Sequence, residues 1–169
     1  MVWQQPVKRK VFTSYHHRGD QAYYDAFSRR FGDMYKVLTD NSLEREIDSD
    51  DVEYVMRRIR EDYLTGSSCT IVLVGANTWG RRYVDWEIDA TLQKQHGLIG
   101  VKLPTLPVVN DGCPKPDRLQ DNIDSGYAVW TWWETITNEP SKLAGLIETA
   151  NAKPKRLINN GRARRLRNA

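Results

Sequence analysis

Only two cysteines, Cys69 and Cys113, stand among the 169 residues, and neither lies in a CxxC or paired Cys/His spacing. That excludes a disulfide framework and a cysteine-based zinc set. No window approaches the roughly 20 consecutive apolar residues of a membrane span, and Met1 to Lys10 has no apolar stretch before a small-residue cleavage site. The expectation is a cytoplasmic protein with reduced thiols that neither enters a membrane nor is exported. Three nucleotide and hydrolase signatures are also missing: a GxGxxG after the first strand, a GxxxxGK[ST] loop and a GxSxG elbow. Where a phospho-receiver would place clustered acids, at the exit of the first strand, the chain has Ser14, Tyr15 and His16.

Acid is absent after Glu148, while Lys153, Lys155, Arg156, Arg162, Arg164, Arg165 and Arg167 follow it. The net charge of +3 therefore divides into an acidic body, 18 basic against 22 acidic residues over 1–152, and a basic end. We read 1–152 as one domain and 153–169 as a basic C-terminal extension, which its run of cations marks as solvated. Without interleaved aromatics the extension offers no base stacking, so no specific nucleic-acid partner is expected.

The 40% apolar content is enough for a core. Lys8–Ser14 reads as a first strand, followed by a helix from Asp20 that stops at Gly32, and Met34–Leu38 as a second strand. Thr39–Asp50 is a polar surface loop in which Leu43 and Ile47 suggest one turn of helix. Val52, Val55, Met56, Ile59 and Tyr63 give the helix Asp51–Leu64 an apolar stripe, with Ser49, Asp50 or Asp51 as its cap. Cys69–Val74 is a short, almost wholly apolar run, as in a central strand covered on both faces. A turn at Ala76–Gly80, a helix Arg81–His96 and a strand Leu98–Leu103 follow. Prolines make Pro104–Pro116 irregular, Tyr127–Trp132 is a last strand with Trp130 and Trp132 on one core-packed face, and Ser141–Ala150 is a final helix. Alternating strands and helices imply an α/β fold: a flavodoxin-like parallel sheet of about five strands with helices on both faces.

Function in such a sheet sits beyond the carboxyl ends of the strands, which selects Ser14–Asp20, Thr39–Asp48 and Ala76–Arg82. Arg81 and Arg82 fall in the first turn of a helix, where the dipole disfavours cations. Either an anionic group such as a phosphate offsets this for Arg82, or the arginines pair with Asp85 and Asp89 along the helix. Glu87 borders the buried face defined by Val84, Ile88, Thr91 and Leu92, which leaves two readings: a solvated boundary residue, or a half-sheltered carboxylate facing the crevice. Trp79 and Trp86 fit core or lid positions. His16 and His17, adjacent in an extended loop, point apart and do not share a metal ion; either contacts a nucleotide or is simply solvated.

The segments Lys10–His17 (KVFTSYHH), Ser67–Ile88 (SSCTIVLVGANTWGRRYVDWEI) and Gly97–Leu103 (GLIGVKL) resemble the TIR-like proteins of bacterial Thoeris anti-phage defence. The resemblance spans about Lys8 to Leu103 and is most specific over Thr78–Ile88. It implies a TIR fold and an enzyme that cleaves the nicotinamide glycosidic bond of NAD+, here a substrate and not a cofactor; no metal is implied. The ADP-ribose portion is then released, cyclised or conjugated, as a diffusible signal that activates a separate effector protein. The family's catalytic glutamate falls on Glu87. Phe12, Ser14, Tyr15 and His16 would line the nucleotide pocket, Arg82 would hold the pyrophosphate or brace the loop, and Asp48, Trp79 and Tyr83 complete the candidate substrate-binding set. Regulation by homo-oligomeric assembly or by a phage-derived trigger is implied as well. Two other readings stay open: a non-catalytic TIR-like module that binds a nucleotide or a protein, and a nucleoside-processing transferase on a similar sheet.

Overall fold

Five short strands run parallel in the order β2-β1-β3-β4-β5 in a computed structural model that describes residues 8–39, 51–110 and 112–169. They are β1 (Arg9–Ser14), β2 (Tyr35–Leu38), β3 (Ser67–Val74), β4 (Gly97–Lys102) and β5 (Val129–Trp132). Parallel strands need crossovers, and these are supplied by α1 (His17–Phe31), α2 (Val52–Arg58, extended by a π-helical turn Ile59–Tyr63), α3 (Arg82–Gln93) and α4 (Asp117–Asp124). Helices α5 (Trp133–Asn138) and α6 (Ser141–Asn151) follow the last strand. The flavodoxin-like α/β sheet expected from the sequence is the one observed.

Each face of the sheet carries its own apolar layer. Val11, Ile71, Leu73, Ile99 and Val101 pack against Phe27 and Phe31 of α1 and Leu143 and Ile147 of α6. The other face meets α3 through Val72, Val74, Val84, Ile88 and Leu98, and meets α2 through Phe12, Met56, Ile59 and Trp86. Central β3, covered on both sides, is buried along nearly its whole length, which is why its sequence shows no alternation. Asp51 caps α2, its carboxylate accepting the Tyr54 N–H at 3.0 Å.

Several expectations need correction. Helix α1 starts at His17, three residues before Asp20, because His17, Arg18 and Gly19 carry no apolar periodicity to reveal that first turn. Helix α4 lies in a stretch where no helix was expected; of its three buried residues, Arg118, Leu119 and Asn122, two are polar, so hydrophobic spacing does not reveal it. Trp132 is 57% exposed instead of core-packed: it ends an edge strand, beyond the packing that half-buries Trp130. The loop turn proposed at Leu43 and Ile47 lies outside the described residues.

The basic end is not a free extension: it lies back on the body, with its outer side exposed. Asn159 to Ala169 runs back across α4 and along α3: Arg164 bonds Asp89 and Glu53, each at 2.6 Å, and Arg162 bonds Asp121 at 2.8 Å. Its charge misled because the surface it covers is acidic, so ion pairs and backbone hydrogen bonds seat it, while Leu157 and Ile158 pack against the apolar layer of α3 and α4. No helix among the described residues is long and apolar enough to cross a membrane.

Gly100 in β4 lies under the Trp130 ring; a Cβ there would stand 2.7 Å from the ring and 3.0 Å from Leu119. Gly100→Ala should therefore destabilise the fold by about 1–3 kcal/mol in urea denaturation. Unchanged stability would show that the Trp130 ring is free to move aside.

Candidate active site

The strand order reverses between β1 and β3: β2 follows to one side of β1 and β3 to the other. In open parallel sheets this switch point leaves a crevice at the strand carboxyl ends, since the two crossovers diverge there. Ser14 closes β1 and Gly75 follows β3 at this point, and the helices α1 and α3 begin beside them.

Glu87 projects into this region from the second turn of α3. It is 3% exposed, and its Oε1 accepts from Ser14 Oγ at 3.4 Å. Beneath it, the Thr70 and Thr91 hydroxyls lie 2.7 Å apart and Thr91 Oγ1 donates to the Glu87 carbonyl at 2.7 Å, registering this turn of α3 on β3. Of the two readings open for Glu87, the structure therefore gives the sheltered one. The cause is that α3 is buried on every side: all nine residues from Val84 to Leu92 are buried, since the sheet covers one face and Asn159–Ala169 the other.

Alternation along β1 divides the remaining candidates. Phe12 and Ser14 face α3, but Phe12 is fully buried among Met56, Ile59 and Trp86, which leaves no ring face for a base. Tyr15 belongs to the opposite apolar layer, its ring stacked between His17 and Tyr24 at centroid distances of 4.2 and 4.6 Å. His16 is buried at the N-cap of α1, where its carbonyl accepts the Asp20 N–H. Arg82 sits over Tyr83 and Trp86, 4.9 and 5.7 Å from their ring centroids, with Nη2 donating to Tyr83 Oη at 2.6 Å. Its buried Nε has no hydrogen-bond partner among the described residues. Trp79 is 42% exposed, with the Arg165 guanidinium over its ring. Asp48 lies outside the described residues. The structure thus brings Ser14, Glu87, Arg82 and Tyr83 to the start of α3, leaves Trp79 at its rim and keeps Tyr15 on the far side of the sheet.

Pairing of the arginines with Asp85 and Asp89 is not what α3 does. Asp85 holds the buried Arg118 of α4 in a bidentate pair at 2.9 and 3.3 Å, and Asp89 holds Arg164.

A latch unseen in the sequence ties the two helix starts together. Asp20, 3% exposed, accepts from Thr78 Oγ1 at 3.2 Å, and Thr78 Oγ1 in turn accepts the Gly75 N–H at 2.9 Å. A Cβ on Gly75 would fall 2.5 Å from the Asp20 carboxylate, so that glycine makes room for the latch. The pattern Gly-x-x-Thr after an apolar strand was the available signal, but its carboxylate partner lies 58 residues away. Burial is the main cause that raises the Asp20 carboxyl above its ordinary value, with the Thr78 hydrogen bond and the nearby His16 opposing it. Burial also pushes the Cys69 thiol up to about 12, far from nucleophilic use at neutral pH.

A family model for the TIR-like domain of the Thoeris protein ThsB matches residues 12–107, more than half of the chain. The chain belongs to this TIR-like family. The match spans β1 through β4 and so includes Ser14, the Asp20 latch, Arg82 and Glu87, and it ends before α4 and the Asn159–Ala169 segment. Among solved structures, this TIR-like domain is similar to the TIR domains of the activated Roq1 resistosome directly recognising the pathogen effector XopQ, at 13% identity, 86% coverage of each chain and a TM-score of 0.41. A search of curated protein sequences finds no match.

Asp20 and Asp89 predict opposite pH behaviour. With a folded pKa raised above its unfolded value near 3.9, Asp20 subtracts stability as pH rises from about 4 through that raised value. Asp20→Asn, which keeps an acceptor for Thr78, should abolish this slope without loss of stability at pH 7. A loss above roughly 1 kcal/mol would mean that the charge itself holds the latch. For Asp89, burial raises the carboxyl but the hydrogen bonds from Arg164, Asn160 and Gln93 outweigh it and hold it below its ordinary value. Its contribution should be complete above about pH 4 and lost only as pH falls through the depressed folded value, and denaturation curves of Asp89→Asn should lack that acid limb.

Proposed function

We propose that this TIR-like domain is an NAD+-cleaving enzyme of anti-phage defence, releasing nicotinamide and leaving an ADP-ribose-derived signal for a separate effector protein. The observation that carries this reading is the sheltered Glu87 carboxylate beside Ser14 Oγ at the β1/β3 switch point, the position the family's catalytic glutamate would occupy.

The chemistry suits such a group. Nicotinamide is a pyridinium in NAD+ and departs neutral, so cleavage of the C1′–N bond needs no proton donor and leaves positive charge on the ribose. A carboxylate fixed in a water-poor crevice stabilises that oxocarbenium character without reorganising during the reaction. Glu87 would also accept hydrogen bonds from the ribose hydroxyls, with Ser14 Oγ fixing its Oε1. The buried Nε of Arg82 offers a donor for the pyrophosphate, whose charge would offset the cost of an arginine in the first turn of α3. Water, a hydroxyl of the same molecule or a second acceptor then adds to the ribosyl cation and gives up its proton to the Glu87 carboxylate or to solvent, yielding linear, cyclic or conjugated ADP-ribose.

Mass spectrometry of NAD+ incubations in lysates of phage-infected and uninfected cells tests the reading. The wild-type chain should release nicotinamide with a new ADP-ribose species, and Glu87→Gln should lower that release by about 100- to 1000-fold, the range for one charge-stabilising group. Equal release by both would remove Glu87 from catalysis. No release by either would leave a module that binds a nucleotide or a protein partner.

A further inference from the structure

Helix α3 begins without a cap of its own. Arg81 occupies the N-cap position, and its side chain has no acceptor to offer the helix. The start of the helix is held instead by residues 79 to 89 positions further along the chain. Asn168 Oδ1 accepts the Arg82 backbone N–H at 3.0 Å, and the Leu166 carbonyl accepts from Arg82 Nη1 at 3.3 Å. The Arg165 carbonyl accepts from Trp86 Nε1 at 2.8 Å, and the Ala169 N–H donates to the Gly80 carbonyl at 3.0 Å. Gly80 permits this approach, since a Cβ on it would stand 2.7 Å from the Ala169 methyl.

We infer that the segment Asn159–Ala169 is a positioning strap for the active site, with Asn168 supplying the N-cap that sets Arg82 and the first turn of α3. The inference rests on the NAD+ reading for its kinetic consequence but not for its structural one. The strap has further anchors on α4 and at Asp85, beside its contacts with Arg82. Arg118 Nη1 donates to Asn160 Oδ1 and to the Arg162 carbonyl, Arg118 Nη2 donates to the Ala163 carbonyl, and the Arg165 N–H donates to Asp85 Oδ2. Arg164 bridges Asp89 and Glu53, and so joins α3 to the start of α2. With Nη1 held by the Leu166 carbonyl and Nη2 by Tyr83, the guanidinium keeps Nε as its buried donor. The strap therefore sets the direction of the Arg82 guanidinium before any ligand binds.

The test uses the full chain with Asn168→Ala, Asn168→Asp and the pair Arg164→Gln/Asn168→Ala. Hydrogen exchange of the Arg82–Asp85 amides should accelerate about fivefold in Asn168→Ala, the scale of one lost cap, and more in the double variant. Asn168→Asp, whose carboxylate also accepts, should restore it. In NAD+ cleavage the same series should raise KM about fivefold with kcat within about twofold, since the change affects binding of the pyrophosphate and not the Glu87 chemistry. Two results would overturn the inference: unchanged exchange in the double variant, or faster turnover when the strap is loosened, which would make it an inhibitor. If no variant and no wild-type preparation cleaves NAD+, the exchange series still decides the strap, and the failure belongs to the NAD+ reading.

Discussion

The buried pair between Asp85 and Arg118 is the junction on which the functional half of this molecule depends. Both side chains are out of water, and neither would be tolerated there alone, since a lone buried charge costs several kcal/mol. Together they form a bidentate pair, and the remaining hydrogen-bonding capacity of both goes to backbone and side-chain groups of Asn160–Arg165. One ion pair thus fixes three pieces at once: α3, α4 and the segment that lies over them. Its partners are polar and closely specified, so its value lies more in geometry than in net stability.

The site follows from that enclosure. A helix covered only by the sheet would present Glu87 at a wet border, where a carboxylate interacts weakly with developing charge. Covered on both faces, α3 holds Glu87 at 3% exposure above the strand ends and against Ser14. The same enclosure brings a cost at the helix start, where Arg81 and Arg82 face an unfavourable dipole and the N–H groups lack a local cap. Asn168 supplies the missing cap, and the Asp20–Thr78 latch fixes the loop that leads into the helix, with groups drawn from residues 20 to 168. The start of α3 is therefore an assembly of distant chain segments, an arrangement that suits the precise positioning the proposed role of Glu87 would require.

What the sequence made legible is what short-range pattern encodes. The apolar run Cys69–Val74, the stripe of the helix Asp51–Leu64 and the alternation of strand with helix are local, and the parallel α/β sheet followed from them. Glu87 was legible as a candidate through Thr78–Ile88, and its neighbour Ser14 through its place at a strand end. Helix α4 escaped because its buried side chains are mainly polar and answer to Asp85 and Asn159, not to a hydrophobic layer. The basic end escaped for the related reason that its partners, Asp85, Asp89 and Asp121, are remote in the chain. Single-residue charge counts saw seven cations and no acids nearby, whereas the fold supplies the acids from α3 and α4. Tyr15 was placed in the crevice with the whole first-strand exit, as the resemblance implied, although the period-two alternation of β1 already sets it on the opposite face from Ser14.

The central claim is that the crevice at the ends of β1 and β3 receives the nicotinamide riboside portion of NAD+ against Glu87. Titration of NAD+ into isotope-labelled Glu87→Gln protein, followed by amide NMR, addresses it directly because binding is read without turnover. The account predicts saturable shifts confined to Ser14–Asp20 and Thr78–Ile88, from both sides of the switch point together. Shifts absent from these two segments at saturating NAD+, or clustered around β5 and α6 instead, would contradict it.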